Sequence, residues 1–128
     1  MGLEEDAEKV VREFCDAFAA HDAEALRPYF ADDVVYHNIP MDPVVGVDDT
    51  VAFLTGFMGM CDKIEFEILN LAVRGDVVLT ERVDTFTLGQ RTAPLPVMGT
   101  IEVRDGKIRA WRDYFDLAQV TAMFSAEG

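Results

Sequence analysis

The chain has 128 residues, half of them hydrophobic, and a formal net charge of −13. That length suits a single domain, residues 1–128, able to bury roughly two thirds of its unfolded surface. So acidic a chain is a poor partner for nucleic acid or an anionic membrane surface, and it has no uninterrupted apolar run of transmembrane length.

From Glu4 to Ala20, apolar residues fall at Ala7, Val11, Phe14 and Phe18, the spacing of an amphipathic helix. Asp22 can cap a second short helix, Ala23 to Phe30, which Pro28 makes irregular. Val34 to Asn38 reads as a short strand running into a loop with Pro40 and Pro43. After Gly46, Asp48 and Asp49 favour a helix start, and Val51, Leu54 and Met58 supply the buried stripe of a third helix.

The second half changes to strands. Ile64–Arg74, Val77–Leu88, Arg91–Arg104 and Lys107–Phe115 are separated by the turn signals Gly75-Asp76, Gly89-Gln90 and Asp105-Gly106, the last a strong hairpin dipeptide. Asp116, with Gln119 three residues later, resembles a capping box opening a final helix through Phe124. Helices followed by a meander predict an α+β fold, a curved, mainly antiparallel sheet wrapped around the N-terminal helices.

The acidic clusters Glu4-Glu5-Asp6, Asp32-Asp33 and Asp48-Asp49 fit solvated faces and helix N-termini. Cys15 and Cys61 lack metal or redox spacing and read as reduced, buried residues of a cytoplasmic protein. The N-terminus is acidic and amphipathic rather than basic and then apolar, unlike a secretory signal.

Five polar residues stand out on the apolar strands. Side chains two apart share a face, which pairs Tyr36 with Asn38 and Arg82 with Asp84, and sets Asp113 between Trp111 and Phe115. On the last strand the same alternation groups Arg109 with Trp111, Asp113 and Phe115. If these faces converge, one apolar cavity holds two carboxylates, a guanidinium, a phenol and an amide, a set suited to acid–base chemistry. The bland alternative is an exposed ladder of Arg82 and Asp84 with Glu102, worth about 0–1 kcal/mol, with Asp113 as a cap. Both faces of Val77–Leu88 carry apolar residues, so alternation alone leaves both readings open.

Other chemistries find little support. Ser125 is the only serine and lies in the tail, against a nucleophile elbow. His21 and His37 are too sparse for a metal cluster, and His37 faces away from Tyr36 and Asn38. Cys15 has no basic partner nearby in sequence. No glycine-rich phosphate loop leads into a helix, so a nucleotide cofactor has no basis.

Tyr36-His37-Asn38-Ile39-Pro40-Met41, Arg82-Val83-Asp84 and Trp111-Arg112-Asp113-Tyr114-Phe115-Asp116, taken in order, resemble the limonene-1,2-epoxide hydrolase family. The resemblance implies a cone-shaped fold shared with nuclear transport factor 2 and ketosteroid isomerase, a deep apolar pocket, a homodimer, and no cofactor or metal. It makes Asp113 the general base and Asp84 the general acid, bridged by Arg82, with Tyr36 and Asn38 helping to hold the attacking water. A hydrophobic epoxide, such as a terpenoid, steroid or fatty-acid derivative, would lie against Met41, Phe53, Leu54 and Phe86. Two rivals remain at this level: an isomerase on the same cone, with Asp113 taking a proton from carbon, and a non-catalytic ligand-binding module.

Overall fold

In the computed structural model, which describes residues 2–125, the first helix, α1, spans Leu3–Ala17 and buries Ala7, Val11, Phe14 and Cys15. The expected helix to Ala20 ends early as α-helix. Phe18–Ala20 tightens into a 3₁₀ turn that keeps Phe18 on the buried face, and His21 stops it in the left-handed region at φ 54°. The His21 Nε2 lies 2.9 Å from the Met58 carbonyl and 3.0 Å from that of Cys61, which ties this corner to the end of the Val47–Met58 helix and the turn after it. Ala23–Tyr29 is also 3₁₀ rather than α, with Asp22 accepting from the Glu24 amide at 3.0 Å and Pro28 inside.

The strand expected at Val34 starts earlier: β1 covers Phe30–Asn38. A two-residue strand β2, Val44–Val45, pairs with it beyond the Pro40 loop, and α2 follows at Val47–Met58. The meander is β3, Lys63–Arg74; β4, Val77–Leu88; β5, Arg91–Arg104; and β6, Lys107–Tyr114. Asp105 and Gly106 both take positive φ, 53° and 77°, as the twist of a two-residue hairpin requires. The last helix, α3, runs Leu117–Ser125, and Asp116 Oδ1 accepts from the Ala118 amide at 2.9 Å.

The six strands form one sheet in the order β2-β1-β6-β5-β4-β3, antiparallel except where β1 runs parallel to β6. This is the α+β fold the sequence predicts, a curved, unclosed sheet with helices on its inner side. Phe14 fixes α1 to it, its ring 4.9 Å from Trp111 and 5.4 Å from Phe30 between centroids. Truncating such a fully buried aromatic costs about 3–5 kcal/mol.

One face assignment changes. The β5–β6 register shifts between Glu102 and Val103, so Ile108, not Arg109, is buried beside Trp111. A bulge gives one strand an extra residue and flips the alternation across it. Arg109 therefore leaves the group of Trp111, Asp113 and Phe115 and pairs at 2.5 Å with Glu102, whose other oxygen takes Arg112 at 2.7 Å.

Candidate active site

The register of four neighbouring strands assembles the site. Asn38 on β1 stands opposite Asp113 on β6, Asp113 opposite Gly99 on β5, and Gly99 opposite Thr80 on β4. In the adjacent row Tyr36 stands opposite Trp111. Arg82 and Asp84 continue along the inner face of β4, and the arginine reaches diagonally across Gly99 to Asp113.

Arg82 is 1% exposed, and acceptors surround its whole guanidinium. Nε and Nη2 donate to Asp84 at 3.0 and 2.8 Å, Nη1 and Nη2 to Asp113 at 3.2 and 2.9 Å, and Nη1 to Thr80 Oγ1 at 3.2 Å. All five N–H groups of an arginine are thereby used. The Phe66 ring lies 4.6 Å beneath its central carbon. Burial opposes the charge, but Asp113 and Asp84 outweigh it and hold the guanidinium protonated.

The two aspartates are not equivalent. Asp113 accepts a further hydrogen bond from Trp111 Nε1 at 2.8 Å; among the described residues Asp84 has only the arginine. Each extra donor favours the ionised carboxylate, whereas burial favours the neutral acid. Burial dominates at Asp84, whose pKa rises from 3.8 to about 6 despite Arg82. Burial, reinforced by the charge of Asp113, also raises the Tyr36 phenol, which stays protonated. Its oxygen accepts from Asn38 Nδ2 at 3.0 Å, leaving the phenol proton for another acceptor.

These groups close one end of a cavity of about 570 Å³. Tyr36, Asn38, Asp84 and Asp113 line it, as do Met41, Phe53, Leu54 and Phe86, so the structure brings together the residues singled out in the sequence. Arg82 alone sits behind the wall, beneath the carboxylates. The exposed-ladder alternative does not hold: Arg82 and Asp84 are buried, and Glu102 pairs with arginines elsewhere.

The sequence reading missed several walls. Phe57 extends the face of Phe53 by one helical turn, a spacing that would have revealed it. Val120 and Phe124 on α3 also line the cavity, and Phe124 meets Phe57 at 5.6 Å between ring centroids. Nothing local announced that α3 folds back over the sheet. Trp111, Thr80 and Gly99 were missed as supports of the ionic cluster, since their roles depend on register.

The remaining candidates stay outside the chemistry. His37 Nε2 lies 2.9 Å from the Met41 carbonyl and steadies the turn after β1. Burial pushes the Cys15 thiol up to about 12, so it carries no thiolate at neutral pH. Among the described residues no group of three or more His, Cys, Asp or Glu is placed to hold a metal, and no helix is long and apolar enough to cross a membrane.

Known proteins resemble this chain in sequence and in fold. Residues 5–126 match the family described as the limonene-1,2-epoxide hydrolase catalytic domain. Epoxide hydrolase EphG of Mycobacterium tuberculosis is 34% identical over 107 residues, covering 84% of this chain and 71% of the relative. The solved structure of an M. tuberculosis LEH-like epoxide hydrolase superposes with a TM-score of 0.82 at 30% identity, over 94% of this chain and 90% of the other. An NTF2-like protein of unknown function from Burkholderia pseudomallei shares the fold at 19% identity, TM-score 0.83, over 94% and 98% of the two chains. With a matching family domain over nearly its whole length, the chain belongs to the limonene-1,2-epoxide hydrolase family of epoxide hydrolases.

Proposed function

We propose that this protein converts a neutral, hydrophobic epoxide to a vicinal diol in one step, by general acid–base attack of water and without a cofactor. The observation that carries the reading is the unequal pair of carboxylates, joined by one buried arginine at the polar end of an apolar cavity.

Asp113, with the larger set of donors, is the base, and Asp84, whose neutral form burial favours, is the acid. Asn38 Nδ2 already donates to Tyr36, so the Asn38 carbonyl and the phenol proton remain for a water. That water donates one proton to Asp113 and the other to Asn38, accepts from Tyr36, and keeps one lone pair for carbon. As its oxygen bonds to the epoxide carbon, the carbon–oxygen bond breaks and Asp84 protonates the departing oxygen. Asp113 ends protonated and Asp84 ionised. A proton returning from Asp113 to Asp84, by way of water or Arg82, resets the site.

Water supplies the oxygen and the carboxylates move the protons, so the chemistry calls for no metal. None of the described residues lining the cavity is cationic, and Arg82 has no N–H to spare. An epoxide carrying a carboxylate or phosphate would have no counter-charge there, which favours uncharged terpenoid, steroid or fatty-acid-derived substrates. We also infer a cytoplasmic homodimer. The outward face of the sheet exposes Leu79, Met98 and Tyr114 at 46%, 53% and 48%, apolar surface that a second copy would cover.

The test is a single turnover in ¹⁸O-labelled water with a panel of hydrophobic epoxides, limonene oxide and styrene oxide among them. Labelled diol is the expected result. Unlabelled first-turnover diol would mean attack by an aspartate and an ester intermediate. Absence of diol from every epoxide would move the reading to an isomerase or a binding module.

A further inference from the structure

Gly99 lies between Asp113 and Thr80 in the row of residues that crosses the sheet, under the path of the Arg82 side chain. Its backbone is not in the left-handed region, so conformation does not call for glycine there. Space does. A Cβ at this position would collide with Arg82 Nη1, stand 2.6 Å from Asp113 Oδ1 and 3.1 Å from Thr80 Oγ1. Ordinary contacts of a carbon atom lie at about 3.5–4.0 Å. Among the glycines of the described residues, no other has a neighbour this close to its missing Cβ.

None of the three neighbours can step aside without breaking a bond of the cluster. Arg82 Nη1 is held by Thr80 and Asp113, and its other nitrogens by the two aspartates. Asp113 Oδ1 is fixed by Trp111 Nε1 at 2.8 Å. Thr80 Oγ1 donates to the Gly99 carbonyl at 3.2 Å while accepting from Arg82. Gly99 itself does not line the cavity.

We propose that Gly99 is a positioning residue for the reaction above: the slot left by its missing side chain is where the Arg82 guanidinium meets Asp113, with Thr80 as the latch. The slot rests on geometry alone; its catalytic consequence rests on the proposed hydrolase reading. A methyl group there forces the arginine and the base apart, while none of the apolar side chains that line the cavity is among its three nearest neighbours.

The experiment pairs kinetics with a stability cycle. In Gly99→Ala, kcat for diol formation should fall by about 100-fold, a loss that a misplacement near 1 Å can cause. KM and the affinity for the diol product should stay within about threefold, which separates a shifted catalytic group from a collapsed pocket. Unchanged kcat, or a loss carried by KM, would overturn the positioning role. Urea denaturation of wild type, Gly99→Ala, Arg82→Lys and the double variant does not depend on substrate. Lysine has no Nη1, so adding Gly99→Ala to Arg82→Lys should cost over about threefold less in the unfolding constant than adding it to wild type. Additive costs would overturn the slot even if diol forms, whereas coupled costs with no diol would leave the slot standing and sink the hydrolase reading. Should Gly99→Ala fail to fold alone, recovery of folding in the double variant upholds the slot, and its absence where Arg82→Lys folds overturns it.

Discussion

Two aspartates and one arginine share a buried space, and the donors that each carboxylate receives set the two apart. Asp113 has three donors, two of them on Arg82 and one on Trp111, while both Asp84 contacts come from Arg82. Asp84→Asn and Asp113→Asn are each expected to lower kcat by ~10²–10⁴, the range for a positioned acid or base, while circular dichroism reports an intact fold. In the proposed mechanism neutral Asp84 is the working form, so wild-type kcat/KM should fall tenfold per pH unit above about 6. The same group marks stability. Its folded pKa is raised from 3.8, so its contribution is present below 3.8 and is lost as the pH climbs to about 6. Denaturation of Asp84→Asn should accordingly cost less relative to wild type at pH 8 than at pH 4; an equal cost at both would refute the assignment.

At the scale of elements, each wall of the cavity answers to a different rule. The stripe of α2 is periodic and visible in the sequence, with Val51, Leu54 and Met58 buried as expected. The hairpin at Asp105-Gly106 starts the pairing of β5 with β6, and the bulge between Glu102 and Val103 shifts it by one residue, which sets Gly99 opposite Asp113. The final helix is held differently: Arg91 Nη2 donates to the Met123 carbonyl at 2.9 Å, and Phe124 lays its ring near Phe57 and Phe86. Because Phe124 touches the cavity but not the carboxylates, Phe124→Ala should raise KM for a hydrophobic epoxide about tenfold, with kcat changed less than threefold. Steady-state kinetics would sink this role of α3 if kcat fell instead.

Over the whole molecule, the inner face of the sheet is filled by helices and the cavity, and the outer face is left to solvent or a partner. Leu79, Met98 and Tyr114 stand on that outer side, and Glu102 with Arg109 and Arg112 forms an ionic group on β5 and β6. Sedimentation velocity should give twice the 14.3 kDa of one chain. Met98→Glu, which puts a charge on the apolar part of the face, should shift the population toward one copy. A wild-type monomer at all concentrations would remove the dimer.

Much of the site was legible because strand alternation is a local property. Spacings of two put Tyr36 with Asn38 and Arg82 with Asp84 whatever the rest of the chain did, and the turn dipeptides and helix stripes fixed the order of elements. The three short motifs then identified the family. What alternation could not decide was which side of β4 is buried, because apolar residues lie on both; that depended on α1 and α2 packing against one face. Nor could it count across a bulge, which is why Arg109 was placed with Trp111 and is instead outside. The parallel pairing of β1 with β6 brings Asn38 opposite Asp113 across 75 positions of sequence, and the antiparallel pairing of β5 with β6 sets Gly99 opposite the same aspartate. The sequence alone determined which side chains could share a face. Only the tertiary structure decided which faces meet, because register and burial arise from contacts between segments far apart in the chain.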